Sequence, residues 1–318
     1  TMPAAVSPDL TWEKSETLNL GIDFQLFKKL NASVDIYNRK TIGMLTKGAT
    51  LPGVFGADAP SMNSANLSTK GFEMQLTWRD HFNLAGKTFS YSVGAVLSDY
   101  TTEVTKYKNN PNKIIETRVN YMGSYLDDSQ FFTSPYKGQD VGEIWGFTVD
   151  GYFKSDAEAQ SYGVDQSYVN RVRQNSSGEW TQLKAGDLKF IDLGGTKDVI
   201  DIGEGTVDNP GDLKVIGNRT PRYSYGLNLG ANWNGIDVSI FLQGVMKRDW
   251  YPGNNTDKFW GPYSRPYFSF LPEDFVSDVW TPENPNAYFP ILRGYDALNS
   301  GGQLYYPNNK YLQKVGYL

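Results

Sequence analysis

Apolar and polar residues alternate along three pairs of segments in this chain of 318 residues. In the first pair, residues 17–26 and 30–37 carry apolar side chains at every second position, and Lys28-Lys29 lie between them. A period of two places successive side chains on opposite faces of a β-strand. The pattern therefore predicts an antiparallel hairpin with one apolar face, one polar face and Lys28-Lys29 in its turn.

Two further hairpins follow the same design. Residues 71–78 and 89–98 form the second pair, with a short connection between them. Residues 225–233 and 236–243 form the third pair and meet at Asn234-Gly235, the strongest two-residue signal for a hairpin turn.

Short and long connections alternate along the chain. The links between the pairs are long, at residues 45–65, 100–223 and 245 onward. Consecutive connections of a meander lie on opposite edges, so all short turns are expected on one edge and all long links on the other. Together with strands of about ten residues, aromatic strand ends and a polar face of small residues, this favours an all-β, antiparallel up-and-down transmembrane β-barrel with short periplasmic turns and long extracellular loops. The alternative is a soluble β-sandwich, whose strands also alternate.

One loop segment has a helical signal. Residues 155–173 open with Ser155-Asp156-Ala157-Glu158, which has the form of a capping box. We predict a helix here, within the second long link.

Composition excludes several classes of site. The chain has no cysteine and a single histidine, so disulfide scaffolds, thiolate nucleophiles and intrachain sites with several histidines are excluded. A net charge of −5 gives no basic excess for nucleic acid. No apolar run approaches the roughly 18 residues of a membrane helix. We expect no cofactor, no metal and no nucleic-acid partner.

Six stretches spread over nearly the whole chain have the form of motifs. In order, they are residues 7–21 (SPDLTWEKSETLNLG), 66–73 (NLSTKGFE), 142–153 (GEIWGFTVDGYF), 186–192 (GDLKFID), 216–223 (IGNRTPRY) and 280–287 (WTPENPNA). They resemble, in the same order, motifs of SusC/RagA-type TonB-linked outer-membrane proteins.

This resemblance implies a barrel of roughly 22 strands whose lumen holds a plug. It implies import of oligosaccharides, or of oligopeptides by the same mechanism, across the outer membrane of a Gram-negative bacterium. The implied partners are a SusD-like surface lipoprotein that acts as a lid, TonB acting through N-terminal parts outside this chain, and outer-membrane lipid. Residues 1–318 are expected to be part of the barrel, with the plug and the final strands outside the chain.

The third long link is rich in aromatic residues. Flat rings with polar edges suit sugar rings, so we predict substrate or lid binding there. The alternative is that these rings form the core that a long loop needs. The predicted binding residues are Trp250, Tyr251, Trp260, Tyr263, Arg265, Tyr267 and Phe268.

The acidic residues give only weak signals for calcium binding or catalysis. Asp187, Asp192, Asp198 and Asp201 share a glycine-rich stretch, but their spacing departs from that of a calcium loop, which favours a solvated turn. Glycosidase chemistry needs two carboxyl groups about 5–10 Å apart. No pair is singled out among acids such as Asp127-Asp128 and Glu143, so we predict no catalytic residue. A β-rich glycosidase and a soluble sandwich that binds carbohydrate remain as rival functions.

Basic residues mark the short connections. Lys28, Lys29, Arg79 and Lys87 are predicted in turns, where they either meet the membrane surface or only add solubility. His81 is predicted in the turn after Trp78, at residues 79–87.

Overall fold

The computed structural model describes residues 7–48, 54, 56, 59–115, 135–170, 182–253, 256–264, 271–293, 297–298 and 301–318. The strands are β1 (Lys14–Leu26), β2 (Leu30–Lys47), β3 (Ser61–Leu84), β4 (Lys87–Tyr107), β5 (Glu143–Gly146), β6 (Val149–Tyr152), β7 (Leu188–Phe190), β8 (Lys214–Asn218), β9 (Arg222–Trp233), β10 (Ile236–Lys247), β11 (Asp249–Trp250) and β12 (Gln313–Lys314). The helices are α1 (Asp156–Ser161) and α2 (Asp257–Trp260), with 3-10 turns at Gly261–Tyr263 and Phe275–Asp278. None of the helices in these ranges has the length and apolar character that crossing a membrane requires.

A six-stranded antiparallel sheet contains the three predicted hairpins. Its order is β1-β2-β3-β4-β9-β10, so neighbours in the sheet are also neighbours along the chain, apart from the long link between β4 and β9. Tight turns close the hairpins. Phe27 and Lys28 have positive φ, as do Asn234 and Gly235. The three hairpins are confirmed.

The second hairpin is longer than predicted. Its strand β3 continues through residues 79–84, and the turn consists of Ala85 and Gly86, with φ of 48° and 77°. Arg79 and His81 therefore lie in β3, opposite Ser92 and Ser90, and Lys87 is the first residue of β4, opposite Leu84. Their prediction as turn residues is wrong.

An ion pair that cannot be recognised from the local sequence pattern explains why β3 extends beyond its predicted end. Asp80 interrupts the apolar face of β3, which makes the strand look as though it ends at Trp78. The Lys29 ammonium of the neighbouring hairpin lies 2.8 Å from the Asp80 carboxylate and neutralises it. The alternation then resumes at Phe82 and Leu84.

The register aligns apolar side chains into continuous rows across the sheet. Because the pairing is antiparallel, side chains directly opposite each other share a face. One such row crosses all six strands: Phe24, Ala32, Leu76, Ala95, Leu227 and Leu242.

This apolar face is exposed. The five apolar side chains of β1, from Leu18 to Leu26, are 42–76% exposed. A soluble sandwich would bury such a face under a second sheet, and a soluble monomer rarely exposes so large an apolar patch. Nine residues of strand extend about 26 Å, or about 20 Å in height at a 40° tilt, which is close to the apolar band of a membrane barrel. The face has the dimensions expected for contact with lipid.

The long links form a second part of the molecule, which we call the lobe, beyond the edge opposite the hairpin turns. It contains the strand pairs β5–β8, β6–β7 and β11–β12 around an aromatic core. The fully buried rings are Phe147, Phe153, Phe190, Trp260, Tyr263 and Tyr311.

Backbone pairing joins the lobe to the sheet. The amide of Val104, near the end of β4, donates to the Gln139 carbonyl, and the amide of Val141 donates to Thr102. At the other side, Val245 and Tyr317 exchange two hydrogen bonds of 2.9 Å. The lobe is therefore a continuation of the sheet strands rather than a separately tethered unit.

Helix α1 begins where it was predicted. The Ser155 side chain accepts a hydrogen bond from the amide of Glu158 at 3.1 Å, which confirms the N-cap. The helix ends at Ser161, and Gly163 follows with φ of 75°, so the predicted extension through residues 163–170 is wrong, and residues 171–173 lie outside the described residues. A glycine with positive φ is a common helix terminator.

Candidate functional site

The aromatic run predicted to bind ligand is divided between core and surface. Trp260 and Tyr263 are fully buried and Tyr251 is almost so, whereas Trp250 is 38% exposed. The remaining three predicted residues, Arg265, Tyr267 and Phe268, lie outside the described residues. Direct ligand binding by this set stays a prediction, and of the described members only Trp250 offers an accessible ring.

The buried rings form a tightly connected cluster. Trp260 lies edge-on to Tyr311 at 5.2 Å, and Phe289 lies 5.7 Å from Tyr263 and 5.2 Å from Phe275. Their polar tips are satisfied within the lobe. Trp260 Nε1 donates to the Gly253 carbonyl at 2.9 Å, and the Tyr263 hydroxyl donates to the Pro290 carbonyl at 2.5 Å. These rings act as the core of the long link.

An accessible aromatic surface lies beside this core. It consists of Trp250, Phe259, Tyr288 and Gln313, which we call the rim platform. The Phe259 ring lies 6.3 Å from the rings of both Trp250 and Tyr288, and Tyr288 is 37% exposed. Gln313 lies opposite Trp250 in the β11–β12 pair, and its Nε2 donates to the Tyr288 hydroxyl at 2.6 Å. Flat rings beside an amide can stack on and hydrogen-bond to a polar ligand.

Sequence reasoning missed Tyr288 and Gln313. Tyr288 directly follows the stretch at 280–287, and Gln313 lies in the last ten residues, 63 positions beyond Trp250. Gln313 meets Trp250 only because the chain returns through β12 to pair with β11, and Gln313 then donates to the Tyr288 hydroxyl. No local signal marks either residue.

A lysine lies over the rings behind the platform. Lys310 Nζ is 4.3 Å from the centre of the Tyr152 ring, and the Tyr152 hydroxyl donates to the Tyr288 carbonyl. Within the described ranges, no carboxylate lies within 4.0 Å of this ammonium, and partial burial lowers the pKa of Lys310. Burial raises the pKa of Tyr152 and Tyr288, so their hydroxyls stay protonated hydrogen-bond donors.

Asp187 has a structural role. Its carboxylate is fully buried and is held by the Arg293 guanidinium through two contacts, one of them 2.8 Å from Nε to Oδ1. The amide of Lys184 also donates to it at 3.0 Å. Gln303 bridges the same region, since its Oε1 accepts from the amide of Leu188 at 2.8 Å. This carboxylate is therefore committed to joining distant parts of the lobe.

The other acids of that stretch shape a loop. Asp192 accepts from the amides of Gly194 and Asp198, and Asp201 accepts from Gly203. Buried Asp212 accepts from two further amides, and its burial raises its pKa. Among the described residues, no group of three or more acidic or histidine side chains is placed to hold a metal ion.

Among the described residues, the acids considered for catalysis do not form a pair. Glu143 accepts from the Tyr136 hydroxyl at 2.5 Å and from Trp145 Nε1 at 3.2 Å, and burial raises the pKa of Tyr136. This carboxylate ties the start of β5 to the preceding turn. Asp127-Asp128 lie outside the described residues.

The motif stretches contribute fold contacts. Asn66 accepts from the amide of Gly43 at 2.9 Å, and Asn63 donates to the Gly43 carbonyl at 2.5 Å. Together they clamp the irregular end of β2, where Gly43 has φ of 71°. At Gly71, a Cβ would lie 2.6 Å from the Tyr37 hydroxyl, so the Tyr37 ring covers that backbone.

A family model described as "TonB dependent receptor-like, beta-barrel" matches residues 2–186. Curated relatives include two proteins of Formosa agariphila. TonB-dependent receptor P26 is 23% identical over 317 residues, which is 98% of this chain and 27% of that protein. TonB-dependent receptor P3 is 25% identical over 236 residues, which is 74% of this chain and 20% of that protein. The chain thus spans about a quarter of their length.

Solved structures share the fold. The RagAB peptide importer in its "open-open" state superposes with a TM-score of 0.61 at 17% identity, covering 99% of this chain and 28% of that one. The "closed-closed" state gives a TM-score of 0.59 at 16% identity, covering 99% of this chain and 29% of that one. These names are those of receptors and importers rather than of enzymes.

Proposed function

The chain belongs to the TonB-dependent receptor-like β-barrel family, and we propose that it forms wall strands and outer loops of a transporter that imports oligosaccharides across the outer membrane of a Gram-negative bacterium. In this proposal the six-stranded sheet is a section of the barrel wall. A plug contributed by other parts of the protein fills the lumen, and TonB supplies the energy. A SusD-like surface lipoprotein covers the lobe.

The exposed apolar rows of the sheet are the observation that carries this proposal. They require lipid or an equivalent apolar surface on one side, while the opposite face is polar and suits a wet lumen. The row directly beside Phe24 illustrates that opposite face, with Val96 as its one large apolar member: Asp23, Ser33, Gln75, Val96, Gly226 and Gln243.

The rim platform supports a saccharide as the substrate. The partly exposed rings of Trp250 and Tyr288 suit stacking on the C–H faces of a sugar ring, and the Gln313 amide lies beside them for a hydroxyl group. Oligopeptide import is the second candidate, because the fold neighbours are peptide importers. Apolar peptide side chains could use the same rings.

Binding by the full-length receptor with its lipoprotein tests the substrate class. We would titrate a panel of oligosaccharides and a panel of oligopeptides by calorimetry, against the wild type and the Trp250→Ala and Tyr288→Ala variants. We expect saccharide binding that weakens by about tenfold in each variant, equivalent to about 1.4 kcal/mol. Trp12→Ala is the matched control, because Trp12 is 89% exposed and lies outside the platform.

The outcomes separate the alternatives. Binding of peptides alone, weakened by the same variants, would replace the saccharide with a peptide substrate. Equal saccharide affinity in all variants would remove the platform from the binding site. A full-length protein that stays folded and monodisperse without detergent would overturn the barrel assignment of the sheet.

A further inference from the structure

The outward face of the sheet changes character near the lobe. The row of Leu20, Ile36 and Phe72 is apolar. In the next row toward the lobe, Leu18 is still apolar, but Lys70 lies opposite Asn38. In the row after that, Lys40 lies opposite Ser68. The pairing between β2 and β3 has no register shift from Leu30 to Thr41, so these lysines lie on the same face as the apolar rows.

The two lysines are neighbours with accessible ammonium groups. Both are exposed, and their diagonal positions on adjacent strands place their Cβ atoms about 7–8 Å apart. Glu16 lies opposite Lys40 and Glu103 lies opposite Ser68. Even so, within the described ranges no carboxylate lies within 4.0 Å of either ammonium.

Unlike the two lysines, a carboxylate on the same face has a charged partner within the protein. Asp99 lies opposite Phe72, and the Arg222 guanidinium binds it through two contacts of 2.6 and 2.5 Å. The charge of Asp99 is therefore neutralised within the protein. Glu16, Glu103, Lys40 and Lys70 are all exposed on this face, and the two lysines present their positive charges outward.

The height of these lysines matches a lipid headgroup. Lys70 is two residues beyond Phe72, which is about 7 Å along the strand and about 5 Å in height for a strand tilted by about 40°. The headgroup region extends about 5–8 Å beyond the hydrocarbon on each side of a bilayer. An ammonium at this level meets phosphate groups.

We propose that Lys40 and Lys70 together bind the phosphate of an anionic lipid in the outer leaflet, at the boundary between the barrel wall and the lobe. This site is separate from the rim platform. It would anchor the wall at a fixed depth and leave the lobe above the membrane surface.

Lipid binding to the purified full-length protein tests the proposal. We would titrate the protein in neutral detergent with phosphatidylglycerol, and in parallel with phosphatidylcholine, and count bound lipids by native mass spectrometry. We expect the Lys40→Gln and Lys70→Gln variants each to lose about fivefold in phosphatidylglycerol affinity, and the double variant about 25-fold. Phosphatidylcholine binding should change little.

Arg39→Gln is the matched control. Arg39 is adjacent to Lys40 and exposed, but it lies opposite Thr69 on the inner face. Unchanged phosphatidylglycerol affinity in the double variant, or an equal loss in Arg39→Gln, would overturn the proposal. So would displacement of the lipid by millimolar-scale inorganic phosphate, which would indicate a site for free phosphate. If the double variant fails to fold, the two single variants still decide the question.

Discussion

The backbone of Gly186 lies directly against the indole ring of Trp280, so closely that a Cβ at Gly186 would be 2.5 Å from Cε3 of that ring. The amide of Ile291 also donates to the Gly186 carbonyl at 2.9 Å. Two of the recognised sequence stretches, 186–192 and 280–287, therefore meet in one contact. The glycine provides the space, and the tryptophan fills it.

Gly186→Ala should destabilise the lobe by about 2–5 kcal/mol, because a left-handed residue other than glycine costs about 1–2 kcal/mol and overpacking adds about 1–3 kcal/mol. Hydrogen exchange of lobe peptides in the full-length protein measures this loss. Gly138→Ala separates the two contributions, because Gly138 has φ of 93° but nothing within 4 Å of its would-be Cβ. Equal effects of the two substitutions would show that the Trp280 contact adds nothing.

Arg293→Met should destabilise the lobe by about 3–5 kcal/mol, since it leaves the buried carboxylate of Asp187 without its charged partner. The measurement is the rate at which a protease cleaves the lobe in the full-length protein. Lys197→Met removes a 90% exposed lysine and should leave that rate almost unchanged. If both variants are cleaved at the wild-type rate, the ion pair is not holding the lobe together.

Trp260→Ala should reduce stability rather than act first on ligand binding. Truncation of a large, fully buried ring such as Trp260 lowers the free energy of unfolding by about 3–5 kcal/mol. Trp250→Ala, at a half-exposed position, should cost less. Near-ultraviolet circular dichroism during thermal unfolding gives the melting temperatures of the two variants for comparison. A Trp260→Ala protein that melts like the wild type but binds ligand weakly would assign Trp260 to the binding surface.

Glu158 should make α1 sensitive to acid. The amide of Lys154 and the Lys189 ammonium bind its carboxylate and lower its pKa below the ordinary value of 4.5. Because the folded-state pKa is depressed, this stabilisation is present above pH 4.5 and is lost as the pH falls through the folded-state pKa. Hydrogen exchange of a peptide covering α1, corrected for intrinsic rates, should show this acid step.

Two variants identify the source of the acid step. Glu158→Gln should abolish it. Lys189→Met should weaken it without abolishing it, because the hydrogen bond from the Lys154 amide remains. An unaltered step in Glu158→Gln would assign the acid sensitivity to another group.

The fold of the sheet could be predicted where the signal is local. The Asn234-Gly235 turn and the alternation on either side of it fix a hairpin and its register within about twenty residues of sequence. The extent of β3 could not be predicted in this way. Asp80 interrupts the alternation, and the lysine that compensates for it, Lys29, lies 51 positions away.

In the candidate site, even more depends on contacts between residues that are distant in sequence. Trp250 and Trp260 lie ten positions apart in one aromatic run, and their chemistry is identical, so the sequence by itself determined only that this link is rich in rings. The tertiary structure decided that Trp260 is core and that Trp250 is surface. Tyr311 and Phe289 pack against Trp260, whereas Trp250 pairs with Gln313 at the margin. Alternation along a strand is set by backbone geometry within a few residues, but burial depends on which distant segments arrive to cover a side chain.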